Sequence, residues 1–184
     1  MMRRIIAIVF CFSLLCTGCA GTMGSLKETM ATAYSGIIEM MFGSYQNESA
    51  VWMEQALDAI ANERSEDLLG LFSEEVIRDI VDVDAQIGEL FAYFEGEVLS
   101  TQITYGMVSK SNHGGIYEEA EVGCDVITTS GSYRILLQVC LQNERYQNDV
   151  GILSLIIVES EMIPTDTGYW GAYRFTPGIL IYKA

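Results

Sequence analysis

The sequence predicts an α+β domain in which N-terminal helices pack on a curved antiparallel sheet. Three observations carry this expectation. Apolar residues recur with the helical period of 3.6 up to about Gly96, the period changes to 2 from Glu97 onward, and glycine- or asparagine-rich turns separate the alternating runs. Helices grouped ahead of strands, rather than interleaved with them, point away from a parallel α/β sheet.

The first element is a leader. Met1, Met2, Arg3 and Arg4 precede an apolar run from Ile5 to Leu15 broken only by Ser13, the layout of a secretory signal peptide. As a helix that run covers about 16 Å, too short for a hydrocarbon core of about 30 Å. Cys16-Thr17-Gly18-Cys19 then resembles a bacterial lipobox, with Cys16 standing where Leu or Val is usual. The resemblance implies cleavage before Cys19 and attachment of diacylglycerol and palmitate-type chains to that cysteine, which would anchor the chain to the membrane on its extracytoplasmic face. The chain therefore divides into a signal peptide over 1–18, a lipidated N-terminus with an amphipathic segment over 19–49, and the α+β domain over 50–184.

The amphipathic segment Leu26–Phe42 carries a stripe of Leu26, Met30, Ala33, Tyr34, Ile37, Ile38 and Met41 behind a Ser25/Glu28 capping box. A second helix is expected from Ala50 to Asn62 behind a Ser49 cap, with Trp52, Ala56, Leu57, Ala59 and Ile60 inward. Ser65 caps a short helix burying Leu68, Leu69 and Phe72; Ser73 with Glu74 and Glu75 opens the next, burying Val76, Ile77 and Ile80. Asp82 and Asp84 start a last helix whose stripe is Ile87, Leu90, Phe91 and Phe94, stopped at Gly96.

Strands are expected over Val98–Val108, Ile116–Thr128, Tyr133–Tyr146 and Val150–Glu159, with a short tail strand Ile179–Tyr182. The turns between them are "SNHGG", "TSGS" and the Asn148/Asp149 region. Taking the more apolar parity as inward, the first strand presents Leu99, Thr101, Ile103, Tyr105 and Met107. The second presents Ala120, Val122, Cys124 and Val126, and the third Tyr133, Ile135, Leu137, Val139 and Leu141. Cys140 then points away from Cys124, so both are expected as free thiols.

"ALDAIANERSEDLLGLFSEEV", "DAQIGELFAYFEGEV" and the long strands after them resemble the nuclear-transport-factor-2-like fold, a curved sheet closed by helices into a cone. More narrowly, "LFS", "QIGELFAYFEG", "VGILSL" and "PGI" are similar to a Gram-positive lipoprotein family with that fold and no assigned activity. The resemblance spans roughly Ala50 to Tyr182. It implies a cavity inside the cone but no particular chemistry, since the fold hosts isomerases, cyclases, dehydratases and binding modules alike.

Charge excludes one class of partner. The formal net charge is −15, and loss of the leader removes two arginines more, so nucleic acid is not an expected ligand. None of the inward sets contains Asp, Glu or His; the single histidine, His113, falls in a turn. Asp82 to Gly88 begins like a calcium loop, but the glycine comes one place late. No metal or cofactor motif and no nucleophile motif is present. The candidate ligand- or partner-binding residues are the hydroxyls Tyr93, Thr101, Tyr105 and Tyr133 in the cone and the loop residues Tyr169, Trp170, Tyr173, Arg174 and Phe175. The expected function is a membrane-anchored, non-catalytic module binding an envelope protein or a small apolar ligand. The alternative is an isomerase or cyclase polarising a small carbonyl substrate with Tyr105 and Tyr133.

Overall fold

The computed structural model describes residues 45–112, 114–162 and 176–182. Cys19, the Leu26–Phe42 segment, His113 and the loop residues Tyr169, Trp170, Tyr173, Arg174 and Phe175 lie outside them. The described residues belong to one compact unit, Ser44–Ala184. Four helices come first: α1 over 45–61, α2 Ser65–Leu69, α3 Glu74–Asp79 and α4 Val83–Tyr93. Five strands follow: β1 Val98–Ser111, β2 Tyr117–Thr128, β3 Ser132–Asn143, β4 Gly151–Glu159 and β5 Gly178–Tyr182. The fold is α+β, as the sequence predicts. Among the described residues no helix is long and apolar enough to cross a membrane.

Helix interiors match the stripes better than helix starts do. Helix α1 is already running at residue 45, so Ser49 is not its cap; the Ser49 hydroxyl donates within the helix to the Gln46 carbonyl (3.2 Å). Met53 joins Ala56, Ala59 and Ile60 in the buried face, while Trp52 and Leu57 are only half-buried. Arg64, not Ser65, occupies the cap of α2. Ser73 does cap α3, its hydroxyl accepting from the Val76 N–H (3.2 Å). Asp82 holds the cap position of α4 but in the left-handed region (φ 57°), with no side-chain capping bond. A carboxylate at a helix start has its favourable dipole interaction whether or not it bonds an N–H, which is why sequence alone read this position as a cap.

The sheet order is β1-β2-β3-β4-β5. The first four strands form the antiparallel meander that the turns announce, but β5 pairs with β4 in parallel, Leu155 opposite Ile179 and Ile157 opposite Ile181. The helices cover the face carrying Val122, Cys124, Val126, Ile135, Leu137, Val139, Leu155 and Ile157, all essentially inaccessible to solvent. On the opposite face Leu136, Cys140, Ile156 and Val158 are buried as well, so β4 is apolar on both parities because both of its faces are buried. Cys124 and Cys140 are free thiols on opposite faces, as the alternation predicts. Burial, and then the carboxylates of Asp149 and Glu119, pushes the Cys140 thiol up to about 11.

Strand β1 departs from simple alternation. Thr101, Ile103 and Tyr105 pair with Val126, Cys124 and Val122, but register shifts between Val98 and Ser100 and between Tyr105 and Val108 expel Leu99 and Met107 from the inward set. Val98 and Val108 pack against the core in their place, leaving Leu99 and Met107 exposed. The inward parity of β2 also runs one step past Ala120, to Glu118. That carboxylate is buried and is held by the Lys110 ammonium and by the Tyr45 hydroxyl (3.3 Å). An ionisable group therefore does lie under the helices, paired with Lys110 and Tyr45.

Candidate functional site

A cavity of about 650 Å³ opens at the end of the sheet where α4, the β2–β3 turn and the C-terminal end of β4 meet. The local structure explains the convergence. The α4 stripe buries Ile87 and Leu90 and leaves Tyr93 on its flank, half-buried. The Tyr93 hydroxyl donates to the Tyr182 carbonyl (2.8 Å) and accepts from the Glu159 N–H (3.3 Å), clasping the ends of β5 and β4. Burial holds this phenol above its ordinary value.

Tyr133, at the start of β3, is buried with its ring against Phe94 (5.1 Å between centroids) and Tyr93 (5.8 Å, edge-on). Its hydroxyl accepts from the Glu95 N–H (3.2 Å). The turn itself is tied to the end of α4. Thr128 Oγ1 donates to the Glu95 carbonyl (2.7 Å) and accepts from the Gly131 N–H (3.0 Å), and Thr129 Oγ1 accepts from the Glu97 N–H (3.0 Å). Gly96, at φ 87°, lets this crossing happen: a Cβ there would lie 2.7 Å from both Ser130 Oγ and Thr129 Oγ1.

Around these phenols stand Glu95, Glu159 and Glu161, which the sequence reading missed. They sit at element ends, outside any periodic stripe; Glu159 reaches the cavity because the register places it opposite Tyr133. Among the described residues the lining contains no Lys, Arg or His. Three carboxylates and two aromatic rings at one opening favour a neutral or cationic ligand over an anion. Of the other hydroxyls expected here, Thr101 and Tyr105 lie on β1, exposed and apart from the cavity. The structure thus brings together Tyr93 and Tyr133 and separates both from Tyr105.

A second, smaller cavity of about 340 Å³ is lined by Glu75 and Asp79 of α3, Tyr117 and Glu119 of β2, Gln138 of β3 and Asp149. Asn143 Nδ2 donates to Asp149 (2.8 Å), the Tyr117 hydroxyl donates to Glu119 (2.8 Å), and Glu119 also accepts from the Gln138 amide. Burial first, and then Glu119, pushes the Tyr117 phenol up. A hydrogen bond from Glu75 to Asp149, reinforced by the charge of Asp149, raises the Glu75 carboxyl above its ordinary value. Among the described residues no group of three or more His, Cys, Asp or Glu side chains could hold a metal ion.

The raised Glu75 carboxyl has a signed consequence. It binds its proton more tightly folded than unfolded, so its stabilisation is complete below the unfolded value of 4.5 and is lost as pH rises through the folded value. Glu75→Gln keeps the hydrogen bond and cannot ionise. Thermal midpoints measured from pH 4 to pH 7.5 should therefore fall less with rising pH in the variant, leaving it the more stable protein at pH 7.5; parallel curves would disprove the pairing.

Helices on one face of a five-stranded, mostly antiparallel sheet, with a tyrosine-lined cavity at its end, define this as an α+β domain with a candidate binding site. The chain belongs to the family described as a domain of unknown function (DUF5104), whose profile matches residues 55–160. No curated protein matches the chain.

Proposed function

We propose that this protein is a membrane-anchored extracytoplasmic lipoprotein whose domain is a non-catalytic binding module of the nuclear-transport-factor-2-like kind. The anchoring half rests on the leader and the lipobox resemblance at Cys19; the cone assignment rests on the quoted motifs together with helices laid over one sheet face. The observation that carries the binding half is the commitment of both cavity phenols to main-chain partners. Tyr93 and Tyr133 secure strand ends and the β2–β3 turn, so they shape an opening and present ring surface to a ligand. The ligand class this favours is a small apolar molecule, neutral or positively charged. The Gly168–Phe175 stretch supplies the composition of a protein-contacting loop, and an envelope protein is the partner it fits.

One observation favours a second reading. Glu75, Asp149 and Tyr117 line one cavity, where Asp149 raises the Glu75 carboxyl, and the isomerase or cyclase alternative requires a carboxyl group facing a cavity in this way. In that reading the catalytic cavity is the smaller one, because Tyr105 and Tyr133 do not share a site. Two measurements test the preferred function. Cys19→Ser should move the chain from the membrane to the soluble fraction. A neutral dye such as Nile red should brighten with the native protein and not with Ala92→Trp, which fills the larger cavity, while Glu75→Gln binds dye normally. Unchanged membrane attachment would sink the anchor, and equal dye response in Ala92→Trp would sink the site.

A further inference from the structure

Among the described residues strand β1 forms one edge of the sheet and pairs with β2 alone. It is 14 residues long, about 46 Å at the usual rise, whereas the opposite edge, β5, has only five residues. Long open edges carry a row of free N–H and C=O groups and are ordinarily protected by proline, by charged side chains, lysine above all, or by bulges. Of these features β1 has two register irregularities and, near its end, Lys110; it has no proline and no carboxylate over Val98–Ser111. This is notable in a chain of formal charge −15, whose neighbouring β2 alone carries Glu118, Glu119, Glu121 and Asp125. The edge also displays apolar surface, with Leu99, Tyr105 and Met107 exposed to 64, 45 and 53%.

We propose that β1 is a self-association edge, on which a second copy of the chain lays its own β1 antiparallel about a two-fold axis at Ile103. The strand is self-complementary in that register. Leu99 falls opposite Met107 of the second copy and Thr101 opposite Tyr105, so the exposed apolar side chains meet one another. The two register irregularities, at Leu99 and at Gly106–Met107, are themselves exchanged by the same axis. Charge agrees: two acidic molecules approach through a strand free of carboxylates. The product is one continuous sheet through both copies, with the cavity of each left at its own end.

Sedimentation equilibrium of the full chain in a density-matched detergent tests this. The native chain should be a concentration-dependent dimer. Thr101→Lys with Tyr105→Lys sets like charges opposite each other twice and should weaken the dimer by about tenfold or more, with unchanged circular dichroism. Thr101→Lys with Tyr105→Glu sets opposite charges across the same axis and should restore it. A native chain that stays monomeric at about 100 µM, a dimer neither variant alters, or equal loss in both variants overturns the proposal. So does a monomer whose β1 amides gain hydrogen-exchange protection only when a different envelope protein is added.

Discussion

Gly151→Ala should cost about 2–4 kcal/mol of stability in urea unfolding, although it adds a single methyl group. Gly151 opens β4 at φ 135°, a region closed to L side chains, and a Cβ there would lie 2.7 Å from Ser73 N and 2.9 Å from the Leu71 carbonyl. Those are the backbone groups that dock the α2–α3 connection on the sheet. The Ser73 N–H donates to the Ile152 carbonyl (3.1 Å), and the Ile152 N–H donates to the Leu71 carbonyl (2.8 Å). Neither backbone can move aside without breaking the Phe72–Ile152 bridge. Gly88 in α4 is the control: nothing lies within 4 Å of a Cβ there, so Gly88→Ala should be neutral or stabilising by up to about 1 kcal/mol. Equal effects at the two glycines would refute the close-packing argument.

Tyr133→Ala should be comparably severe, about 3–5 kcal/mol, because it removes a buried ring packed against Phe94 and Tyr93 and leaves a void at the foot of β3. Tyr133→Phe should cost only about 0.5–1.5 kcal/mol, the loss of the hydroxyl that accepts from the Glu95 N–H. The gap between the two variants separates ring packing from the turn latch. If Tyr133→Phe matched Tyr133→Ala, the hydroxyl would be the dominant contact and the packing account would fail.

The strands were the most legible part of the sequence. Each begins within about two residues of its expected start, since period-two alternation persists wherever one face is buried and breaks only where a bulge adds a residue. The bulges themselves left no local mark, which is why Leu99 and Met107 were assigned inward. Helix starts were read poorly for a different reason. Serine caps some helices and sits inside others, as Ser49 does, and its identity does not tell which. Glu118 could have been found, since it stands two residues before Ala120 at the same parity. The acidic rim of the larger cavity could not: Glu95 arrives through the docking of a turn and Glu159 through β3–β4 register, both products of tertiary pairing. Tyr93 and Tyr133 were legible as polar-tipped aromatics at the edges of apolar stripes, while the separation of Tyr105 from them follows from which strands are neighbours.

The parallel pairing of β5 with β4 has a consequence for the order in which the molecule becomes complete. Strands β1 to β4 join through short hairpins between sequence neighbours, so that ladder can zip as soon as each segment is available. The last strand must return from the far end of β4 before Ile179 and Ile181 can seal it. Until the C-terminal residues have emerged, the most apolar strand of the sheet keeps one flank open, so the finished sheet waits on the last residues of the chain to be made.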